Sequence, residues 1–118
     1  PFGLEALKAA YSKGEPWLKA LLKYLENNRN YVYEFILEHL PQIKPYMPEA
    51  TFLMWLDFSA LNKTDEQIQK LLVDKAKLGL SNGSIFRNGG EGFQRLNFGC
   101  PRATLTKSME QLYAAFRQ

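Results

Sequence analysis

The run Gly92-Phe93-Gln94-Arg95-Leu96-Asn97-Phe98-Gly99-Cys100-Pro101-Arg102 constrains this chain more than any other stretch. It alternates at the period of a strand, sets an arginine among apolar neighbours, and then meets a proline that opens a helix. Phe93, Arg95 and Asn97 fall on one strand face, and Gln94, Leu96 and Phe98 on the other. A guanidinium in such a place is costly unless something anionic meets it. Arg95 is therefore either half of an internal pair, with Asp57 or Glu49 as its partner, or a receptor for an anionic ligand. Its planar fork suits a carboxylate.

With 118 residues the chain is long enough for one domain with a real core and too short for two. Hydrophobic residues make up 46% and charged residues 23%, an ordinary globular balance. No apolar run has the length of a bilayer span, and no signal-like segment opens the chain. A single cysteine, Cys100, excludes an internal disulfide framework; with one histidine, His39, it also excludes cysteine clusters and His-pair metal sites. Both point to a reducing, cytoplasmic setting. The net charge of +3 is uneven, because the excess lies in the last third. There Arg87, Arg95, Arg102, Lys107 and Arg117 face only Glu91 and Glu110. That is a local preference for anions rather than the basic stripe of a nucleic-acid binder. Pro1 stands inside an apolar pattern, so the chain reads as a piece of something longer.

Leu4, Leu7 and Tyr11 predict a short helix over 1–13, broken at Ser12-Lys13-Gly14. The stripe Trp17, Leu21, Leu25, Asn28, Val32, Phe35 and Ile36 predicts a long helix over 15–40, opened by Pro16 and stopped by Pro41. Ile43 to Tyr46 reads as a strand held to an edge position by Pro45. Thr51 to Phe58 reads as a strand apolar on both faces, covered on both sides or on one side by a partner, with Trp55 in the core. Thr64-Asp65-Glu66-Gln67 is a capping box for a helix ending near Gly79. A short strand at Leu78–Leu80, turns at 81–84 and 88–90, a strand at Phe93–Phe98 and a helix from Pro101 complete the order α-α-β-β-α-(β)-β-α. The fold class is α/β, more narrowly a two-layer α+β domain with a small mixed or antiparallel sheet packed by helices.

The remaining candidates have structural readings. Asp57 closes a strand and suits a turn cap. His39 sits in the last turn of the long helix, where a cation suits the dipole. Cys100 precedes a helix start, which favours a thiolate, but no second histidine is present to act as its base. Phe93 and Phe98 point to opposite faces, unlike the stacking platform of an RNA-recognition strand. The chain shows no Ser/His/Asp set, phosphate-cradling glycine loop or paired-carboxylate site.

Larger blocks carry a family resemblance. They are Trp17…Tyr24-Leu25…Asn28…Asn30-Tyr31-Val32, Glu38-His39-Leu40-Pro41, Pro48 to Leu53 with Trp55-Leu56-Asp57, Asn82-Gly83-Ser84…Phe86, and Gly92-Phe93…Arg95-Leu96-Asn97…Cys100-Pro101-Arg102. Over nearly the whole chain this resembles the C-terminal part of a class I/II aminotransferase-like enzyme that depends on pyridoxal 5′-phosphate (PLP). More narrowly it is similar to the MalY/PatB type of C–S β-lyase, the cystathionine β-lyases of that branch. The resemblance implies the smaller C-terminal domain of the PLP fold-type I architecture over residues 1–118. Residues 1–13 would be a leading helix from the large-domain side, 15–40 the long helix, and 43–118 the sheet with two helices. It implies that Arg95 holds the α-carboxylate of an amino-acid substrate, and that Arg102 supports the helix start or an ion pair. The cofactor lysine, the phosphate-binding residues and the aspartate at the pyridine nitrogen would belong to an N-terminal PLP domain absent from this chain, leaving the fragment inactive alone. The full-length protein would be a homodimer giving thiol, pyruvate and ammonia, with no nucleic-acid or membrane partner. The alternatives are a domain of a PLP-dependent aminotransferase or a stand-alone α+β ligand- or RNA-binding module.

Overall fold

Glycine and proline set the first boundaries. In the computed structural model, which describes residues 1–117, helix α1 (Phe2–Lys13) ends at Gly14 and helix α2 (Glu15–His39) begins one residue later. A Cβ on Gly14 would lie 2.4 Å from the Ala10 carbonyl oxygen, so the tight junction needs glycine. Pro16 occupies the first turn of α2, where no backbone N–H is required. Leu40 then leaves the helical region ahead of Pro41.

The sheet has four antiparallel strands in the order β1-β2-β4-β3: β1 (Lys44–Tyr46), β2 (Leu53–Asp57), β3 (Ser81–Asn82) and β4 (Phe93–Asn97). Pro45 does lie on an edge strand, opposite Leu56. Met54 pairs with Leu96 and Leu56 with Gln94, and all four are buried. Against this face pack Val32 and Ile36 of α2, Ile68 of helix α3 (Asp65–Lys70), and Leu105, Met109 and Leu112 of helix α4 (Arg102–Phe116). Phe58 and Phe98 extend the layer beyond the strand ends, fully or nearly fully buried. Each such side chain contributes about 1.5–3 kcal/mol of burial, which makes this layer the stabilising part of the domain.

Among the described residues the opposite sheet face meets no α-helix, only the single helical turn Gly83–Phe86, whose Phe86 packs on it. Its residues form a row across the strands: Tyr46 beside Trp55, Trp55 beside Arg95, and Arg95 beside Ser81. Trp55 is half-buried on that face rather than in the core, because the pleat commits its strand neighbours Met54 and Leu56 to the helices. Its period was legible; which face the helices would take was not.

Three further expectations change. The stripe of α2 buries only its second half: Asn28, Val32 and Ile36 are inside, whereas Trp17 is 69% exposed. The helix started by Thr64 becomes a wide turn over Leu71–Lys75, and the chain reverses at Lys77 (φ 56°) before reaching Gly79. The short strand lies at Ser81–Asn82 rather than 78–80, since Leu78 and Leu80 turn toward the core and the backbone of Ser81 and Asn82 pairs with Arg95 and Gln94. The capping box holds: the Gln67 amide donates to the Thr64 hydroxyl at 3.3 Å and the Thr64 amide donates to Gln67 Oε1 at 3.0 Å. No helix among the described residues is long and apolar enough to cross a membrane.

Candidate functional site

Arg95 sits mid-strand on the open face, between Trp55 and Ser81. Among the described residues no carboxylate comes within 4.0 Å of its guanidinium, and its Nε is buried without a hydrogen-bond partner. The internal pair with Asp57 or Glu49 is therefore absent. Asp57 instead accepts the Ser59 amide at 2.8 Å, the turn cap its position suggested. The ring of Phe86 covers the guanidinium, with Arg95 Cζ 4.5 Å from the ring centroid. Phe86 also meets Trp55 edge-on at 5.5 Å, and Trp55 meets Phe93 edge-on at 6.1 Å. Aromatic pairs in this geometry fix one another, and a ring over a guanidinium orients it. The outcome is a positioned cation with free donors, held in a partly dehydrated aromatic frame.

The loop carrying Phe86 is tied down at both ends by one carboxylate. Asp65, at the start of α3, accepts the Ser84 hydroxyl and the Gly92 amide, the latter at 2.8 Å. Beside these ties Gly83 and Gly90 touch backbone to backbone; a Cβ on Gly83 would stand 2.1 Å from the Gly90 carbonyl oxygen. Sequence reasoning read Asp65 only as part of the capping box and left Phe86 without a role. The signal for Asp65 was weak, since its partners lie 19 and 27 residues away.

A second set of residues anchors the far end of β4. Asn28 is fully buried, in the apolar stripe of α2. Its amide nitrogen donates to the carbonyls of Phe98 at 3.0 Å and Cys100 at 2.9 Å, and its oxygen accepts Arg102 Nε at 3.0 Å. The Tyr24 hydroxyl accepts the first amide of α4, that of Arg102, at 2.7 Å. The Arg102 guanidinium lies over Tyr31, 4.5 Å from the ring centroid. Arg102 thus secures the helix start through an amide and a ring, with no carboxylate involved. A polar residue inside an apolar stripe was the sequence signal for Asn28.

Burial pushes the Cys100 thiol up, so the helix start does not make a ready thiolate. His39 lies among rings, 4.6 Å from Phe35 and 5.8 Å from Tyr113. Every lysine is exposed, and the cleft beside Arg95 is lined by Tyr46, Trp55, Phe86, Phe93 and residues 87–90, with no lysine or carboxylate among them.

A small four-stranded antiparallel sheet backed by helices is the architecture of PLP fold-type I aminotransferase-like proteins, and solved structures match it. A PLP-bound protein from Clostridium difficile 630, assigned as an aminotransferase, superposes with a TM-score of 0.94 at 41% identity, over 98% of this chain and 30% of that one. Cystalysin from Treponema denticola, which contains PLP, superposes with a TM-score of 0.92 at 32% identity, over 97% and 29%. Cystathionine beta-lyase PatB from Bacillus subtilis is 44% identical over 114 residues, 97% of this chain and 30% of that protein. No family model matches. The chain belongs, as a C-terminal portion, to the family of PLP-dependent cystathionine β-lyases and C–S lyases. It spans about a third of the length of the relatives it matches.

Proposed function

We propose that this domain binds the α-carboxylate of the substrate in a PLP-dependent C–S β-lyase. Arg95 takes the carboxylate in its fork, and Phe86 and Trp55 hold that fork in place. The observation that carries the reading is the guanidinium of Arg95, aimed off the open sheet face with a buried, unpartnered Nε. Desolvating an arginine without pairing it is costly, and an incoming carboxylate removes that cost. Fixing the carboxylate orients the rest of the amino acid for reaction, which is where such a contact raises the rate.

PLP, when bound, supplies the electron sink for carbanion chemistry at Cα. Its lysine and its phosphate and pyridine partners come from the part of the protein that precedes this domain. Phe2, Leu4, Leu7, Trp17 and Leu22 of α1 and early α2 are exposed and apolar, which supports docking of that part on them. The domain alone is inactive. The full-length protein, a cytoplasmic homodimer in this reading, cleaves a β-thioether amino acid to thiol, pyruvate and ammonia.

The test is Arg95→Ala in the full-length protein, assayed by pyruvate release from cystathionine. Activity falls by at least a hundredfold while the bound PLP absorbance is unchanged. Loss of PLP together with activity would make Arg95 a structural residue. The similarity to the Clostridium difficile protein favours a transaminase as second reading, and one control separates the two. A lyase releases pyruvate without an added keto acid, whereas a transaminase requires one.

A further inference from the structure

The chain holds two Asn-Gly pairs, Asn82-Gly83 and Asn88-Gly89. Such a pair carries a reaction of its own. The glycine backbone nitrogen attacks the asparagine Cγ, a C–N bond forms, and ammonia leaves. Water then opens the cyclic imide to aspartate or isoaspartate. Glycine favours the attack because it has no Cβ to obstruct it and its backbone turns freely. Water is the only co-reactant, so the fold decides whether the reaction proceeds. It requires a mobile asparagine side chain, a glycine amide outside any hydrogen bond, and room for the backbone to turn.

The two pairs differ on each count. Asn82 lies in β3, opposite Gln94. Its Oδ1 accepts the Ser84 amide at 3.1 Å and the Ser84 hydroxyl at 3.0 Å, which pins the side chain. Gly83 is buried and pressed against Gly90, with no room for even a Cβ. Asn88 lies instead in the loop between Phe86 and Gly92, and both Asn88 and Gly89 are exposed. A Cβ on Gly89 would meet nothing within 4 Å. Among the described residues no backbone hydrogen bond takes the Gly89 amide. The neighbouring bonds stop on either side of the pair: the Arg87 amide donates to the Ser84 carbonyl at 3.2 Å, and the Phe93 amide to the Gly90 carbonyl at 3.1 Å. Asn88 (φ 46°) and Gly89 (φ 87°) are both left-handed, as asparagine tolerates and glycine adopts at no cost.

We infer that Asn88 is a site of spontaneous deamidation, and that Asn82, with the same sequence, is protected by the fold. Conversion places a new carboxylate at 88. In the isoaspartate product it also lengthens the main chain of the loop that carries Phe86. Asn88 lines one cleft with Phe86 and Trp55, and Phe86 covers Arg95. Taking Arg95 as the α-carboxylate receptor, conversion weakens the hold on a carboxylate substrate through repulsion and through displacement of the ring.

The full-length holoenzyme is aged at pH 8 and 37 °C, in parallel with a sample unfolded in urea, and both are mapped by mass after trypsin digestion. Cleavage after Lys77, Arg87 and Arg95 puts the two pairs in separate peptides, 78–87 and 88–95. In the native protein 88–95 gains about 1 Da at least tenfold faster than 78–87 does. In urea the two rates agree within threefold. Equal native rates, or a faster gain in 78–87, would overturn the assignment. So would a tenfold difference that persists in urea, because local sequence and not the fold would then set it. The aged native samples are also assayed with a β-thioether amino acid. The kcat/KM of the wild type falls in step with the converted fraction, whereas Asn88→Gln, aged alike, retains its own starting value. Conversion without loss of turnover would overturn the functional consequence. The mapping does not depend on what Arg95 binds, and the Arg95→Ala assay reports on that reading separately.

Discussion

Asn28→Ala is the perturbation whose cost the structure specifies most fully. Asn28 is completely buried and makes three hydrogen bonds, to the Phe98 carbonyl, the Cys100 carbonyl and Arg102 Nε. Truncation leaves three groups short of a partner. Each buried group so stranded costs about 1–3 kcal/mol. The Cys100 carbonyl keeps a long contact at 3.4 Å from the Tyr24 hydroxyl, which lowers its share. The Arg102 guanidinium keeps its place over Tyr31. The sum is a loss of about 3–5 kcal/mol, a large part of the roughly 5–15 kcal/mol that holds a domain of this size. Urea unfolding followed by far-UV circular dichroism reads it as a fall in the midpoint with an unchanged slope. Asn28→Asp is the control: it keeps an acceptor for Arg102 but gives up both donated bonds, so it recovers only part of the loss. A decrease below about 1 kcal/mol in Asn28→Ala would refute the reasoning, because it would mean the freed carbonyls find water at no cost.

Other outcomes follow from the same geometry. Asp65→Asn weakens the ties to Ser84 and Gly92, costing about 1–3 kcal/mol. It also releases Phe86 from Trp55, so tryptophan emission shifts to the red, whereas an unshifted spectrum would show that the loop holds without Asp65. The Cys100 thiol, pushed up by burial, reacts with iodoacetamide more slowly than free cysteine at pH 8. Because its folded value exceeds the unfolded one, the neutral thiol's contribution is intact at lower pH and is lost as pH rises through the folded value. Alkylation as fast as that of free cysteine would contradict the burial.

The sequence carried the frame of this domain well. Alternation at Phe93–Asn97 and Leu53–Asp57 fixed both central strands, because a two-residue period survives in any context. The proline at 45 marked the edge, and Thr64 with Gln67 marked a helix start through local bonds that need no tertiary partner. Arg95 stood out for the same reason, as a charge breaking an apolar pattern. What was hidden depends on distant contacts. Trp55 could belong to either face until the helices chose the Met54 and Leu56 side. Phe86 and Asp65 matter only because a loop and a helix start, far apart in sequence, meet over Arg95. The exposed apolar residues of α1 and early α2 have the spacing of a buried face, and nothing local reports what that face packs against.

The central claim is that Arg95 pairs with the substrate α-carboxylate, and one comparison tests it most directly. The full-length protein and its Arg95→Gln variant are each assayed with a β-thioether amino acid and with the corresponding α-carboxamide. For the carboxylate substrate the variant loses at least a hundredfold in kcat/KM, about 2.7 kcal/mol, within the usual cost of breaking a desolvated charge pair. For the carboxamide the two proteins differ by less than threefold. An equal loss with both substrates would contradict the pairing and leave Arg95 a structural residue.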